Sequence, residues 1–241
     1  MRAIILAAGR GSRMKDLTDE QPKCLVKLRG KPLLEWQLAA MREAGISDIA
    51  IVTGYKSELL SGYGLVDFHN ARWATTQMVA SLACAAEWLE RETCIVSYSD
   101  IVYDASAVRS LMDCPADLAV TFDPNWLELW TDRFGDPLLD AESFRLTPVG
   151  TLAEIGQKPQ SVNEIQGQYM GLLRFTPKGW GEVTRVRSLL PADQRDQMHM
   201  TGTLQKVIEA QRLAIAAVPY VGRWGEVDVK EDVDIYQRDF C

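Results

Sequence analysis

Histidine is almost missing from this 241-residue chain, which has only two, His69 and His199. The five cysteines, Cys24, Cys84, Cys94, Cys114 and Cys241, are odd in number and show no C-x-x-C spacing. Neither a zinc site nor a disulfide framework is suggested, and a reducing compartment is expected. Positive charge is also scarce: 26 Lys and Arg face 33 Asp and Glu, for a net charge of −7. That balance disfavours a broad electrostatic grip on nucleic acid or on an anionic membrane. No apolar run approaches the roughly 18 residues that span a bilayer, and no charged-then-apolar leader opens the chain. The expectation is a cytoplasmic protein with no nucleic-acid and no membrane partner.

What is present is ample apolar material, 47% of the residues, enough for one sizeable α/β domain over 1–241. The unusual chemistry is concentrated near the start. Ile4-Ile5-Leu6, an apolar run too short for a globular helix, turns into the Gly-rich, basic stretch Ala7-Ala8-Gly9-Arg10-Gly11-Ser12-Arg13-Met14, and Pro22-Lys23 follows. A buried parallel strand feeding a polyanion site has this form. Gly9 and Gly11 lack Cβ, so φ > 0 is expected there, turning successive N–H groups toward phosphate oxygens. Arg13 and Lys23 add mobile positive charge. The plainer alternative is a strand-to-helix turn with solvated basic side chains. A dinucleotide-binding turn fits poorly, because Met14 stands where the third glycine of G-x-G-x-x-G belongs and Pro22 interrupts the helix that should follow.

The rest of the chain alternates strand and helix signals. Residues 25–28 read as a short extended segment and Arg29-Gly30-Lys31 as a turn. Pro32 opens a helix bearing Leu34, Leu38 and Met41, which Gly45 ends. Strands are expected at 48–53, 65–68, 93–100, 117–122, 169–175 and 213–218, and a hairpin at 143–146 and 152–155 around Pro148-Val149-Gly150. Helices are expected from a Thr75 or Thr76 cap to about residue 90, at 105–112, through Leu204, Val207 and Ile208, and after Glu231 and Asp232. The aromatic segment 123–134 shows no clean periodicity and is assigned no element. This order predicts a single-domain, Rossmann-like α/β fold with a mixed, mostly parallel sheet and helices on both faces. Asp100 ends an apolar strand, on the side of the sheet where ligands gather and where Gly9 also lies.

The stretch Leu6 to Met14 with Pro22-Lys23 resembles the signature of the nucleotidyltransferase superfamily that makes nucleoside-diphosphate sugars and CDP-alcohols. Later matches resemble its small cytidylyltransferase branch, which includes phosphocholine and phosphonate cytidylyltransferases. The resemblance implies a nucleotide-binding part at about 1–115 and an acceptor-binding part at about 116–241. It implies that Leu6, Ala8, Gly9, Gly11 and Ser12 surround CTP or another nucleoside triphosphate, with Arg13 and Lys23 catalytic. Thr76, Gln77 and Ser81 fall beside the base or ribose, and Asp100 and Asp228 match ligands of Mg²⁺. Gly156-Gln157-Lys158-Pro159 resembles an acceptor element in which glutamate, here Gln157, precedes the lysine. Lys158 thereby keeps the phosphate contact.

For the acceptor, Trp126 and Trp130 are candidate faces for cation–π capture of choline. Arg133, Lys158 and Arg174 are candidate cations for a phosphonate. Tyr169 is placed with them, and both acceptor classes stay open, as does a homodimer. The implied chemistry is attack by an already anionic acceptor oxygen, so catalysis reduces to positioning and charge neutralisation. Two rivals stand. A sugar-1-phosphate nucleotidyltransferase would use hydroxyl-binding groups in Glu154-Ile155-Gly156-Gln157-Lys158. A nucleotide-binding regulatory subunit is opposed by the intact Arg13, Lys23, Asp100 and Asp228.

Overall fold

The apolar run at the start of the chain becomes a central strand, because it can be covered on both faces. The computed structural model describes residues 1–239, so Cys241 lies outside the described residues. In β1 (Arg2–Leu6) the residues Ala3, Ile4 and Ile5 are fully buried, as a parallel strand sandwiched by helices requires. A small hairpin of β2 (Lys27–Leu28) and β3 (Lys31–Pro32) leads to α1 (Leu33–Glu43). Next, β4 (Ile49–Thr53) pairs parallel with β1, and β5 (Val66–His69) with β4. After α2 (Met78–Leu82) and α3 (Ala86–Leu89), β6 (Cys94–Tyr98) returns to the other side of β1, again parallel.

The second half adds β7 (Ile101–Tyr103), α4 (Ala105–Met112), β8 (Leu118–Asp123) and α5 (Trp126–Phe134). A hairpin of β9 (Phe144–Leu146) and β10 (Leu152–Ile155) follows. Strand β11 (Gln168–Phe175) inserts antiparallel between β6 and β8. The chain continues through α6 (Pro177–Ser188), α7 (Ala192–Asp196), α8 (Met200–Ala210), β12 (Ala216–Pro219), β13 (Trp224–Glu226) and α9 (Lys230–Asp239). The main sheet has the order β12-β8-β11-β6-β1-β4-β5. Helices α1 and α4 pack together over one face, and α2 and α6 meet α8 over the other. This is the expected mixed, mostly parallel architecture. Connections run outward in both directions from β1 and β6, whose carboxyl ends Leu6 and Tyr98 pair. A crevice opens at such a reversal. No helix among the described residues is long and apolar enough to cross a membrane.

Several local readings are corrected. Segment 123–134 is largely a helix: Trp126, Trp130 and Phe134 recur every fourth residue, and the two tryptophans face inward at 4% and 0% exposure. Helix α6 escaped notice because Gly179 and Gly181 dilute its apolar stripe, although Thr176 caps it and Pro177 opens it. The alanine-rich helix is broken by a 3₁₀ turn at Ala83–Ala85, and Gln77 occupies the N-cap position expected for Thr75 or Thr76. Both threonine hydroxyls donate instead to the Arg72 carbonyl.

Arg133 is likewise not free to meet an acceptor. Its side chain is 1% exposed, and it grips the Asp232 carboxylate with two bonds of 2.9 and 3.0 Å while reaching Glu226 at 3.3 Å. Its guanidinium lies 4.6 Å from the Trp130 ring centre, and Trp224 stacks on that ring. No open face remains on Trp130 for choline. Asp232 in turn accepts from the backbone N–H of Asp228 and Val229 at 2.7 and 2.9 Å. Arg133→Leu is expected to lower the unfolding free energy by about 3 to 5 kcal/mol, since it strands two carboxylates without their cation. Urea denaturation measures this, and a loss below about 1 kcal/mol would show that the pair is not a structural tie.

Candidate active site

The site starts where β1 runs out. Gly11 adopts φ +69°, and a Cβ there would stand 2.8 Å from the Lys23 side chain. Glycine is therefore required both by the left-handed turn and by the close approach of Lys23. Gly9 differs from expectation: it is not left-handed, and a Cβ would meet nothing within 4 Å. Its value is open space on a cavity wall. Pro22 is extended and swings Lys23 inward at the start of a 3₁₀ turn. The Lys23 ammonium, 7% exposed, donates to Asp100 at 2.7 Å and to Asp228 at 2.6 Å. Burial alone would lower its pKa, but Asp100 and Asp228 outweigh that and hold it above the usual value. Arg13 pairs with the other Asp228 oxygen at 2.6 Å, its own side chain being 67% exposed. It is thus held at one end and free to move.

Asp100 and Asp228 are 128 positions apart in sequence and meet because β13 pairs antiparallel with β7, setting Glu226 opposite Ile101. The Val227 N–H also bonds to the Asp100 carbonyl at 2.8 Å. Carboxylate oxygens of Asp100, Glu226 and Asp228 all lie within 4.8 Å of one another. Glu226 was missed in the sequence, although its i, i+2 relation to Asp228 in an extended segment was a usable signal. Burial pushes its carboxyl up to about 7, with Asp100 adding to the rise and Arg133 opposing it. Asp100 Oδ1 is buried without a hydrogen-bond partner among the described residues. An all-oxygen donor set with an orphaned carboxylate oxygen fits a hard divalent cation such as Mg²⁺.

Two adjoining cavities flank this cluster. One, of about 280 Å³, is lined by Leu6, Ala8, Gly9, Gly11, Ser12, Arg13, Lys23, Thr76, Gln77, Ser81, Asp100 and Asp228, so these residues from five separate segments do converge. Sequence reasoning missed Trp73 and Tyr98 on the same wall. Asn70 organises the far side: it is buried and donates to Thr76 at 3.0 Å and Ser81 at 2.9 Å. The second cavity, about 320 Å³, has Tyr98, Asp140, Glu142, Tyr169, His199 and Glu226 on its walls. Arg13, Met78 and Tyr98 line both. Gly171, at φ +79°, leaves room for the Tyr98 ring, which a Cβ would approach to 2.8 Å. The close approach there is to a side chain, not to a ligand.

The remaining acceptor candidates lie elsewhere. Trp126 and Trp130 belong to the core, and Arg133 to its ion pair. Arg174 pairs across the sheet with Ile95, at the opposite end of β6 from Tyr98, and bonds to the Ala116 carbonyl. Lys158 is exposed, bonds to the Leu138 carbonyl and lines neither cavity. Glycine-, proline- and strand-linked positions were readable from local pattern, whereas the facing direction of α5 and β11 was not.

The family model for the MobA-like NTP transferase domain matches residues 3–152, more than half of the chain. A CTP:phosphoglutamine cytidylyltransferase of Campylobacter jejuni is 37% identical over 98% of both chains. A choline-phosphate cytidylyltransferase of Streptococcus pneumoniae is 41% identical over 37% of this chain and 41% of its own. Among solved structures, a CTP:phosphocholine cytidylyltransferase from Streptococcus pneumoniae superposes with a TM-score of 0.74 at 20% identity, covering 100% of this chain and 99% of that one. That likeness is one of fold. With the Gly-rich loop, Lys23 and the two aspartates meeting as they do, the chain belongs to the MobA-like NTP transferase family and is a nucleotidyltransferase.

Proposed function

We propose that the chain is a cytidylyltransferase that moves CMP from CTP onto a phosphoryl or phosphonyl oxygen of a small, amine-bearing acceptor, releasing pyrophosphate. The observation that carries this reading is that the carboxylate cluster straddles the two cavities. Asp100 and Asp228 line the first and Glu226 the second. A nucleotide in one and an acceptor in the other would present their phosphates to a common point.

Mg²⁺ held by Asp100, Glu226 and Asp228 would supply charge neutralisation at the α-phosphate. An anionic acceptor oxygen attacks the α-phosphorus, the bond to the bridging oxygen of the β-phosphate breaks, and pyrophosphate leaves with the electron pair. Lys23, protonated and fixed by two carboxylates, steadies the α-phosphate as charge develops. Arg13 exchanges Asp228 for the departing pyrophosphate, to which its guanidinium offers a two-pronged donor.

The acceptor cavity favours an ammonium over a sugar. Asp140 and Glu142 give its wall negative charge. Phosphoglutamine, which appears in the name of the whole-length Campylobacter jejuni relative, is an amino acid and fits that wall. Glu154, in contrast, is paired with Arg145 at 2.8 Å, and with Lys158 lining neither cavity that element brings only the apolar Ile155 to the acceptor wall. A regulatory subunit would have no use for the intact Arg13, Lys23 and three carboxylates.

The deciding experiment is pyrophosphate release across four nucleoside triphosphates with phosphoglutamine, phosphocholine, 2-aminoethylphosphonate and glucose 1-phosphate. The highest kcat/KM is expected for CTP with an amine-bearing acceptor, and preference for glucose 1-phosphate would overturn the reading. Lys23→Ala should cut kcat by about 10²- to 10³-fold, the loss typical of one preorganised charge partner, and a rate within threefold of the parent would remove Lys23 from catalysis. Glu142→Gln should raise KM for the acceptor about tenfold, as losing a charged hydrogen bond does, with KM for CTP within twofold. A change confined to CTP would move Glu142 to the nucleotide side.

A further inference from the structure

A third cavity, of about 400 Å³, lies on the far side of the Asn70–Ser81 region, between α2 with the turn after it and facing residues of α6 and α7. Ala80 and Cys84 give it an apolar floor, and Arg72, Thr184, Arg187 and Arg195 stand around it. Its charges do not cancel. Arg72 is paired with Asp196, which leaves Arg187 and Arg195 without a carboxylate partner among the described residues.

Arg187 is the telling residue. It is only 7% exposed, its Nε has no hydrogen-bond partner among the described residues, and its Nη2 reaches only the Arg195 carbonyl, at 3.4 Å. A buried cation is normally paired, because desolvating an uncompensated charge is costly. Burial, with the neighbouring Arg195, pulls the Arg187 guanidinium below its ordinary pKa, and Asp196 opposes this only in part. The missing partner is therefore an anion from outside the chain. Two guanidinium groups on one wall match the oxygens of a phosphate, and the exposed Thr184 hydroxyl is a further donor. Volume beyond a phosphate ion, over an apolar floor, suits an organic body attached to it.

We propose that this cavity is a second anion site, which holds the phosphate group of a small phosphorylated molecule between Arg187 and Arg195 and is linked to the nucleotide cavity. The linkage runs through α7 and the residue after it. The Asp196 carbonyl accepts from the Gln77 N–H at 2.7 Å, and the Gln197 side chain donates to the Thr75 carbonyl at 2.9 Å. Thr76 lines both cavities. An occupant that draws Arg195 inward thus acts on the same loop that Thr76 and Gln77 present to the nucleotide. This linkage, unlike the site itself, rests on the nucleotide reading above.

The test uses the full chain with inorganic phosphate as probe, at ionic strength held constant with chloride. Tm should rise saturably with phosphate, in the parent and in Arg13→Ala, whose change lies in the active site. Arg195→Ala, a half-buried position, should lose the rise. Arg187→Met should melt no lower than the parent without phosphate, since it removes an unpaired buried charge, and should also show no rise. If Arg187→Met fails to fold, Arg195→Ala still decides. No saturable rise, or an equal rise in Arg195→Ala, overturns the site. Phosphate should also shift KM for CTP at least twofold in the parent and not in Arg195→Ala. An unchanged KM, or the same shift in both proteins, overturns the linkage. Absence of CTP turnover without phosphate would count against the nucleotide reading and leave the Tm result standing.

Discussion

Lys23 held between Asp100 and Asp228 is the interaction on which the rest of the site depends. It joins a loop near the amino terminus to a strand end 77 residues on and to a segment 205 residues on. One ammonium cannot neutralise three carboxylates, so the cluster of Asp100, Glu226 and Asp228 keeps a negative excess at the mouth of the sheet. Arg13 at Asp228 and Arg133 at Glu226 reduce that excess from outside and inside. The arrangement is stable as it stands and is also suited to receive a divalent cation and polyphosphate, which would redistribute the same charges.

The precision of this cluster comes from groups that touch no substrate. Asp232 fixes the backbone of Asp228 and Val229, Arg133 fixes Asp232, and Trp130 and Phe134 flank Arg133. Aromatic residues that look like a choline cage are thus part of a support behind the carboxylates of Asp100, Glu226 and Asp228. Seating reactive groups on short paired strands and a packed helix limits their movement to a degree that a free loop would not.

The two cavities differ in chemistry. The first is bounded by the glycine-opened turn that carries Arg13 and by a polar loop pinned by Asn70. The second is lined by Asp140, Glu142 and Glu226 and by Tyr98 and Tyr169. Tyr98 stands between them, edge-on to Tyr169 at 5.8 Å between ring centres.

By itself the sequence determined those features that local physics dictates. The apolar run of β1, the Gly11 turn, the Pro22-Lys23 entry and helix α4 at Ala105–Met112 could be read because period, turn chemistry and ring constraint act within a few residues. The alternation of strand and helix then limited the fold to a mostly parallel sheet. Tertiary structure alone decided which side chains face which neighbour. The inward turn of Trp126 and Trp130, the capture of Arg133 by Asp232 and the entry of Glu226 into the cluster follow from the pairing of β13 with β7 and the packing of α5 on α9, and the far-end placement of Arg174 follows from the pairing of β11 with β6 and β8. Those are contacts between segments about a hundred residues apart, where one residue of register sends a side chain to the opposite face, and no local pattern records that choice.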